Sequence, residues 1–570
     1  MKPLWGPVPA GPGTMRFRLW APGREALSLE IEGRGPAAME RGAEGWFAVH
    51  APAGPGTRYR FVLDDGMTAP DPASRAQANG VHGWSVVVDP MHEWREEHWR
   101  GRPWEEAVIQ EVHAGLHGGF RGLAGDLERI AAIGVTAIEL MPVGAFGGDR
   151  GWGYDGVLPF APHAAYGTPE DLRALVDRAH GLGLMVLLDV VYNHFGPDGN
   201  YLGAYAPRFF HADADTPWGG AVAVDEPPVA AFFLENALMW LRDYRFDGLR
   251  LDAVHAICNP AFLDRLARDI RAELPGRHVH LILENEDNDA ARLGGGRYDA
   301  QWNDDFHNVM HVLLTGETAA YYADFADRPA ERLARCLAEG FVYQGESFGS
   351  RDGEPRGSAS AHLPPSAFVA FLQNHDQIGN RALGERLTVL AEGERLRAAT
   401  ALLLLSPQIP LLFMGDECGS RSPFLFFTDF HNELADAVRE GRRREFAKFE
   451  AFRDESMRAR IPDPNALATF EASRAQPGPD AAEWQALYRR LLAIRTERIV
   501  PRLKGTRSHG AQAIGAGAVL ARWRMGDGAL LGMAINLGES PVDFPRFDGE
   551  PLFAQGEPGA PGSFACWLAA

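Results

Sequence analysis

Cysteine is scarce in this chain of 570 residues: Cys258, Cys336, Cys418 and Cys566 are scattered, and no two form a C-x-x-C pair. That scatter excludes a cysteine metal knuckle and a dense disulfide framework, and it points to a reducing cytoplasm. Long apolar runs are missing too. The stretch from Ala399 to Leu405 gives way to Ser406, Pro407 and Gln408, well short of the ~20 residues that cross a bilayer. Met1-Lys2-Pro3-Leu4-Trp5-Gly6-Pro7 lacks the apolar core of a signal peptide. No stripe of Lys and Arg offsets the formal net charge of −20, which repels phosphate backbones and anionic headgroups, so neither nucleic acid nor a membrane is expected as a partner. A neutral ligand such as a sugar suits that charge. Internal repeats and low-complexity tracts are likewise absent.

What is present is an ordinary globular composition, 46% hydrophobic and 10% aromatic, in a chain longer than the roughly 250 to 300 residues that one core supports. Residues 1–92 are rich in Gly and Pro and carry short alternating segments, Phe17-Arg18-Leu19-Trp20 and Tyr59-Arg60-Phe61-Val62-Leu63, which predict a β-sandwich. From 105 to 440 apolar runs alternate with amphipathic helices, the pattern of βα units on a parallel sheet. One unit is legible in detail. Thr168 caps a helix with Pro169 at its first position, Leu172, Leu175, Val176 and Ala179 repeat on one face, and a strand from Met185 follows. Strand candidates at 108–114, 137–141, 185–191, 248–254, 280–285, 299–303, 368–374 and 410–415 number the eight that close a (β/α)8 TIM barrel. Residues 441–505 read as a helical connection, and alternation at Ala518-Val519-Leu520-Ala521 and Leu530-Leu531-Gly532-Met533 predicts a β-domain over 506–570.

Several of these apolar strands end in a carboxylate beside a His, Asn or Arg: Asp189-Val190-Val191-Tyr192-Asn193-His194, Arg250-Leu251-Asp252-Ala253-Val254-His255, Leu283-Glu284 and Asn374-His375-Asp376. Any one such acid is more often a cap than a catalyst. Four strand ends in consistent order make chance a poor explanation, because the C-terminal ends of barrel strands form the active face. Arg250 and Asp252 share a face of their strand, so the arginine can hold the aspartate ionised for nucleophilic attack. Three aliphatic residues ahead of Glu284 favour its protonated form, the form of a general acid. Asp252 and Glu284 lie about one βα unit apart, which predicts adjacent strands at equal height and, with a carboxyl separation of ~5 to 5.5 Å, hydrolysis with retention. Asn193 is a candidate cation ligand, but no ligand-rich loop accompanies it, and neither metal nor cofactor is expected. Among the aromatic residues Trp152, Tyr154, Trp218, Phe209, Phe210, Trp302, Phe306 and Tyr343, the ones placed as sugar platforms are Tyr154 and Trp218.

These four segments resemble the signature regions of the α-amylase superfamily of glycoside hydrolases. By that resemblance Asp252 is the nucleophile, Glu284 the acid/base and Asp376 a transition-state stabiliser. Arg250, His194, His375, Tyr154, Asp189, Trp218, His255 and Asn374 then contact or support the substrate. Longer stretches are similar to one family within it, the maltooligosyltrehalose trehalohydrolases: Pro70-Asp71-Pro72-Ala73-Ser74-Arg75, Trp152-Gly153-Tyr154-Asp155-Gly156-Val157, Asn193 to Leu202, Trp302-Asn303-Asp304-Asp305-Phe306-His307, Gln373 to Arg381 and Pro423 to Asp429. The resemblance implies a maltooligosyltrehalose or related α-glucan substrate and a maltooligosyltrehalose synthase working upstream. Gln110 stands where that family usually has Tyr, the loop before Phe120-Arg121-Gly122 is short, and Ala221 to Asp225 departs from the usual run; sugar contacts from the first strand are thereby in question. The competing readings are a glucan branching or debranching enzyme of the same superfamily and a non-catalytic glucan-binding relative.

Overall fold

A computed structural model of the chain describes residues 3–447, 452–545 and 549–569. The remainder of the expected segments 1–92, 441–505 and 506–570 lies outside the described residues.

The N-terminal segment forms two antiparallel sheets, one built on Thr14–Trp20 and Trp46–Pro52, the other on Leu27–Ile31 and Arg58–Leu63. Alternation turns Tyr59, Phe61 and Leu63 inward, and Phe17 meets Tyr59 with ring centroids 4.7 Å apart. Trp5, fully buried, joins this segment to the barrel: the backbone amides of Leu4 and Trp5 donate to the Glu235 carboxylate at 2.7 and 3.0 Å.

All eight expected strands form, as β1 (Ile109–Val112), β2 (Ala137–Leu140), β3 (Met185–Val190), β4 (Gly248–Leu251), β5 (His280–Leu283), β6 (Ala300–Trp302), β7 (Phe368–Ala370) and β8 (Ile409–Phe413). Each pairs parallel with its neighbour, and β8 returns to β1, closing the barrel. The helix after β2, α1 (Pro169–Gly181), starts on the expected Thr168 cap with a reciprocal bond to Asp171, and the left-handed residue behind it is Gly183 (φ +75°). β4 is shorter than read from sequence. It stops at Leu251 because Ala253 turns to φ +39°. Between β5 and β6 the connection carries only the 3-10 turn Ala290–Arg292 and the run Gly294-Gly295-Gly296, all at positive φ, so that unit has no covering α-helix.

At the barrel's base, Asp247 is fully buried just ahead of β4. It accepts from Trp99 Nε1 (2.8 Å) and the Val186 amide (2.9 Å), and His180 Nε2 lies 2.9 Å from it. The helical connection begins at Asn432, ahead of the boundary read at 441. Arg495, also fully buried, ties it to the barrel by donating to the carbonyls of Leu404, Ser406 and Gln408. The C-terminal segment is a five-stranded antiparallel sheet including Ala518–Arg524 and Leu530–Asn536. Among the described residues no helix is long and apolar enough to cross a membrane.

Candidate active site

Every second residue of a barrel strand points into the lumen. Ile109, Ala137, Leu187, Ile282, Ala300, Val369 and Leu411 make an apolar layer there. Two residues further along, the same inward rows carry Glu111, Glu139, Asp189, Arg250 and Glu284. A charged layer on an apolar floor must be compensated internally.

Arg250 supplies the compensation. It is fully buried; Nη1 donates to Asp189 Oδ2 (2.5 Å) and Asp252 Oδ1 (2.9 Å), and Nη2 lies 2.9 Å from Glu284 Oε2. Its guanidinium also sits 4.1 Å from the centre of the Trp302 ring, a cation–π contact. Asp189 and Arg250 are register partners across β3 and β4, and Leu251 and Leu283 are partners across β4 and β5. Asp252 and Glu284 therefore leave adjacent strands at the same height.

Three features act on these two acids. Asn193 Nδ2 donates to Asp252 at both its backbone oxygen (2.8 Å) and Oδ2 (2.9 Å). The amide considered for cation binding is thus aimed at Asp252, and among the described residues no group of His, Cys, Asp and Glu is arranged to hold a metal. The left-handed turn at Ala253 swings its N–H onto Glu284 Oε2 at 2.7 Å. Burial, then the negative charges of Asp252, Asp376 and Asp304, push the Glu284 carboxyl well above its ordinary value, against the pull of Arg250. Oε2 accepts the Ala253 N–H and lies beside Arg250 Nη2, which leaves Oε1 as the better place for a proton.

Asp376 is the second residue of a short helix, His375–Gly379, just beyond β7. Burial raises its carboxyl, but His375 and Arg250 more than offset this, and it lies below the usual range. His375 is desolvated yet held well above a normal imidazole by Asp376 and by Glu111, whose Oε1 lies 2.5 Å from Nδ1 and whose Oε2 accepts the His375 amide at 3.0 Å. It lies between the carboxyl groups of Asp376 and Glu111, an arrangement that favours the imidazolium form. Tyr154 donates to Asp189 Oδ2 at 2.6 Å and stacks on His375 at 5.0 Å.

The other expected residues fall out differently. His194 bonds Asn193 Oδ1 and stacks under Trp218, which lies in the turn of a hairpin (Phe210–Thr216 with Gly219–Val222) and is 48% exposed. His255 turns toward the β5 loop, where its Nδ1 accepts the Glu286 amide at 3.3 Å. Asn374 is fully buried, and its Oδ1 caps the His375–Gly379 helix by accepting the Asp376 amide. Trp152, Phe209, Trp302, Phe306 and Tyr343 are buried in packing. Gln110, in question from sequence, points away from the lumen and donates to Glu417 at 2.8 Å; its exchange for Tyr does not touch this cluster.

Comparison with known proteins places this geometry. Residues 74–206 match the model "Alpha amylase, catalytic domain", and 506–567 match a domain of unknown function, DUF3459. The malto-oligosyltrehalose trehalohydrolase of Deinococcus radiodurans is 42% identical over 91% of this chain and 89% of its own length, and that of Saccharolobus solfataricus is 41% identical over 75% and 78%. The chain belongs to the malto-oligosyltrehalose trehalohydrolase family. Like the other malto-oligosyltrehalose trehalohydrolases it is a glycoside hydrolase of the α-amylase type. A Salmonella typhimurium crystal structure provisionally assigned as an alpha amylase is 46% identical, with a TM-score of 0.95 and complete coverage of both chains. Pullulanase from Anoxybacillus sp. LM18-11, at 16% identity and a TM-score of 0.73, shares the fold. The 1,4-alpha-glucan branching enzyme of Pseudomonas aeruginosa is 32% identical over 57% of this chain and 46% of its own, so the branching reading is not favoured over that of a malto-oligosyltrehalose trehalohydrolase.

Sequence reasoning passed over Glu111, Glu139, Asn193 as an Asp252 partner, and Asp304. The inward-row alternation was a usable signal for the two glutamates, since each sits two residues after an apolar lumen residue. Asp304 carried no such signal, because it follows its strand in a run of polar residues.

Proposed function

We propose that the chain cleaves the α-1,4-glucosidic bond next to the terminal trehalosyl unit of a maltooligosyltrehalose, with retention, releasing trehalose and a maltooligosaccharide. The observation that carries the mechanism is one guanidinium, Arg250, touching Asp252 and Glu284 from adjacent strand ends. That favours the close carboxyl pair of a retaining enzyme over the ~6.5 to 9.5 Å that an inverting pair leaves for water.

In this reading Glu284 donates its proton to the glycosidic oxygen as Asp252 attacks the anomeric carbon. The C–O bond to trehalose breaks, and a maltooligosyl ester forms on Asp252. Water, deprotonated by Glu284, then attacks the same carbon and frees the aspartate. Asn193 and Arg250 hold Asp252 in line, and Asp376 binds sugar hydroxyls beside the reacting ring. Trp218 and Tyr154 offer apolar faces to the chain. The substrate comes from a synthase that builds the trehalosyl end. Four free cysteines, three of them buried, support a cytoplasmic setting.

The test is product analysis on maltotriosyltrehalose. Trehalose and maltotriose are expected, and Asp252→Asn or Glu284→Gln should lower kcat by at least about 10³-fold while leaving the thermal midpoint nearly unchanged. Trimming of branched glycogen without trehalose release would sink the proposal in favour of a debranching activity.

A further inference from the structure

One hairpin of the N-terminal segment reaches the loops that follow β2 and β3. Its strands Gln77–Ala78 and Trp84–Val86 pair antiparallel, and the tip between them turns through Asn79 and Gly80, both left-handed (φ +67° and +76°). Val81 is buried there among Ala145, Val157, Leu158 and Ala161, all from the segment after β2. It also lies against Gly199 in the loop after β3, which sits at φ +88° and has no room for a side chain beside Val81. The next residue, His82, is half exposed and uses both ring nitrogens: Nδ1 lies 2.7 Å from the Tyr201 hydroxyl and Nε2 2.9 Å from Asp198 Oδ1. A neutral ring satisfies both, accepting from Tyr201 and donating to Asp198.

The run Asn193-His194-Phe195-Gly196-Pro197-Asp198 therefore has both ends held. At one end Asn193 donates to Asp252, and at the other Asp198 meets His82. Between them the Gly196 amide donates to the Gly156 carbonyl at 3.1 Å, in the segment whose Tyr154 donates to Asp189. We propose that His82 is a positioning residue for Asp252: by gripping Asp198 and Tyr201 from the N-terminal segment, it fixes the loop on which Asn193 stands. This rests on the reading of Asp252 as nucleophile. A polar pair this exposed adds little to folding, whereas a nucleophile moved by a fraction of an ångström loses much of its rate.

The experiment is steady-state kinetics of trehalose release by the full chain. His82→Ala should lower kcat about tenfold with KM within about twofold and the thermal midpoint nearly unchanged. His82→Gln, whose amide still donates to Asp198, should return kcat to within about threefold of the parent. In an Asn193→Ala background His82→Ala should cost less than about twofold more, because both act through one contact. An unchanged kcat in His82→Ala, no recovery in His82→Gln, or full additivity with Asn193→Ala overturns the proposal. If His82→Ala fails to fold by circular dichroism, Asp198→Ala removes the other half of the same bond and should show the same loss of kcat; no loss is equally fatal. A fluorosugar that traps the glycosyl ester separates the two readings. Peptide mass mapping should find the label on Asp252 in the parent chain, and a label elsewhere removes Asp252 as nucleophile. A label that forms on Asp252 as fast in His82→Ala as in the parent removes His82 alone.

Discussion

Glu111 and Glu139 are register partners on β1 and β2, both buried to 1% exposure and both facing the lumen. Their surroundings differ completely. Glu111 is saturated by His375, whereas neither oxygen of Glu139 has a hydrogen-bond partner among the described residues. Burial, then the charges of Asp189 and Glu111, push the Glu139 carboxyl well above its ordinary value, so it is a neutral acid. Substitution with glutamine should therefore have opposite outcomes at the two sites. Glu139→Gln replaces one neutral group by another and should keep kcat/KM within about threefold. Glu111→Gln strips His375 of an anionic partner, and a hydrogen bond to a charged group is worth ~1.5 to 3 kcal/mol, so a loss of at least about tenfold in kcat/KM is expected. Steady-state kinetics on both variants decides it.

At the scale of elements, the two ends of β4 do different work. Its C-terminal end carries Arg250 and Asp252. Its base carries Asp247, which no ligand at the mouth can reach and which holds Trp99, His180 and the start of β3 together. Charge at the closed end of a barrel serves stability. Asp247→Ala leaves a buried imidazole and two N–H donors without their acceptor and should cost about 3 kcal/mol in chemical denaturation. Activity at 25 °C should fall by less than about threefold. A large drop in kcat with unchanged stability would show that the base communicates with the site. The periodicity of α-helical and strand segments made these elements legible in sequence, since an apolar run bounded by a cap and a glycine has few alternatives. Their ends were less so: β4 stops at Leu251 because Ala253 is recruited to bond Glu284, a demand set by the neighbouring strand.

For the whole molecule, acid should be more damaging than its carboxylates alone would suggest. His113 is fully desolvated and pushed down to about 4. Nδ1 accepts the Leu116 amide (3.1 Å), so the proton sits on Nε2, which donates to the Gly151 carbonyl (2.8 Å). The folded pKa lies below the unfolded value of about 6.5, so the unfolded chain takes up the proton first. Its contribution to stability is full above that value and is lost as pH falls toward 4, at up to ~1.4 kcal/mol per pH unit. Asp71, raised by burial to about 6, pulls the other way, which is why a variant comparison is needed. His113→Gln should be less stable near pH 7 yet show a shallower decline between about pH 6.5 and 4 in urea midpoints. Parallel declines would remove His113 from the account.

By itself the sequence determined the barrel, its eight strands and the flanking β-domains, and it singled out Asp252, Glu284 and Asp376 as candidates at strand ends, because periodicity and strand-end charge are local properties that survive without coordinates. Only the tertiary structure decided which charges meet. Arg250 reaching Asp189 and Glu284, Asn193 turned to Asp252, Gln110 turned to Glu417 and Gln377 bridging to Asp304 all join residues from different βα units. Barrel closure sets those distances, and whether a buried acid is neutral or ionised follows from them.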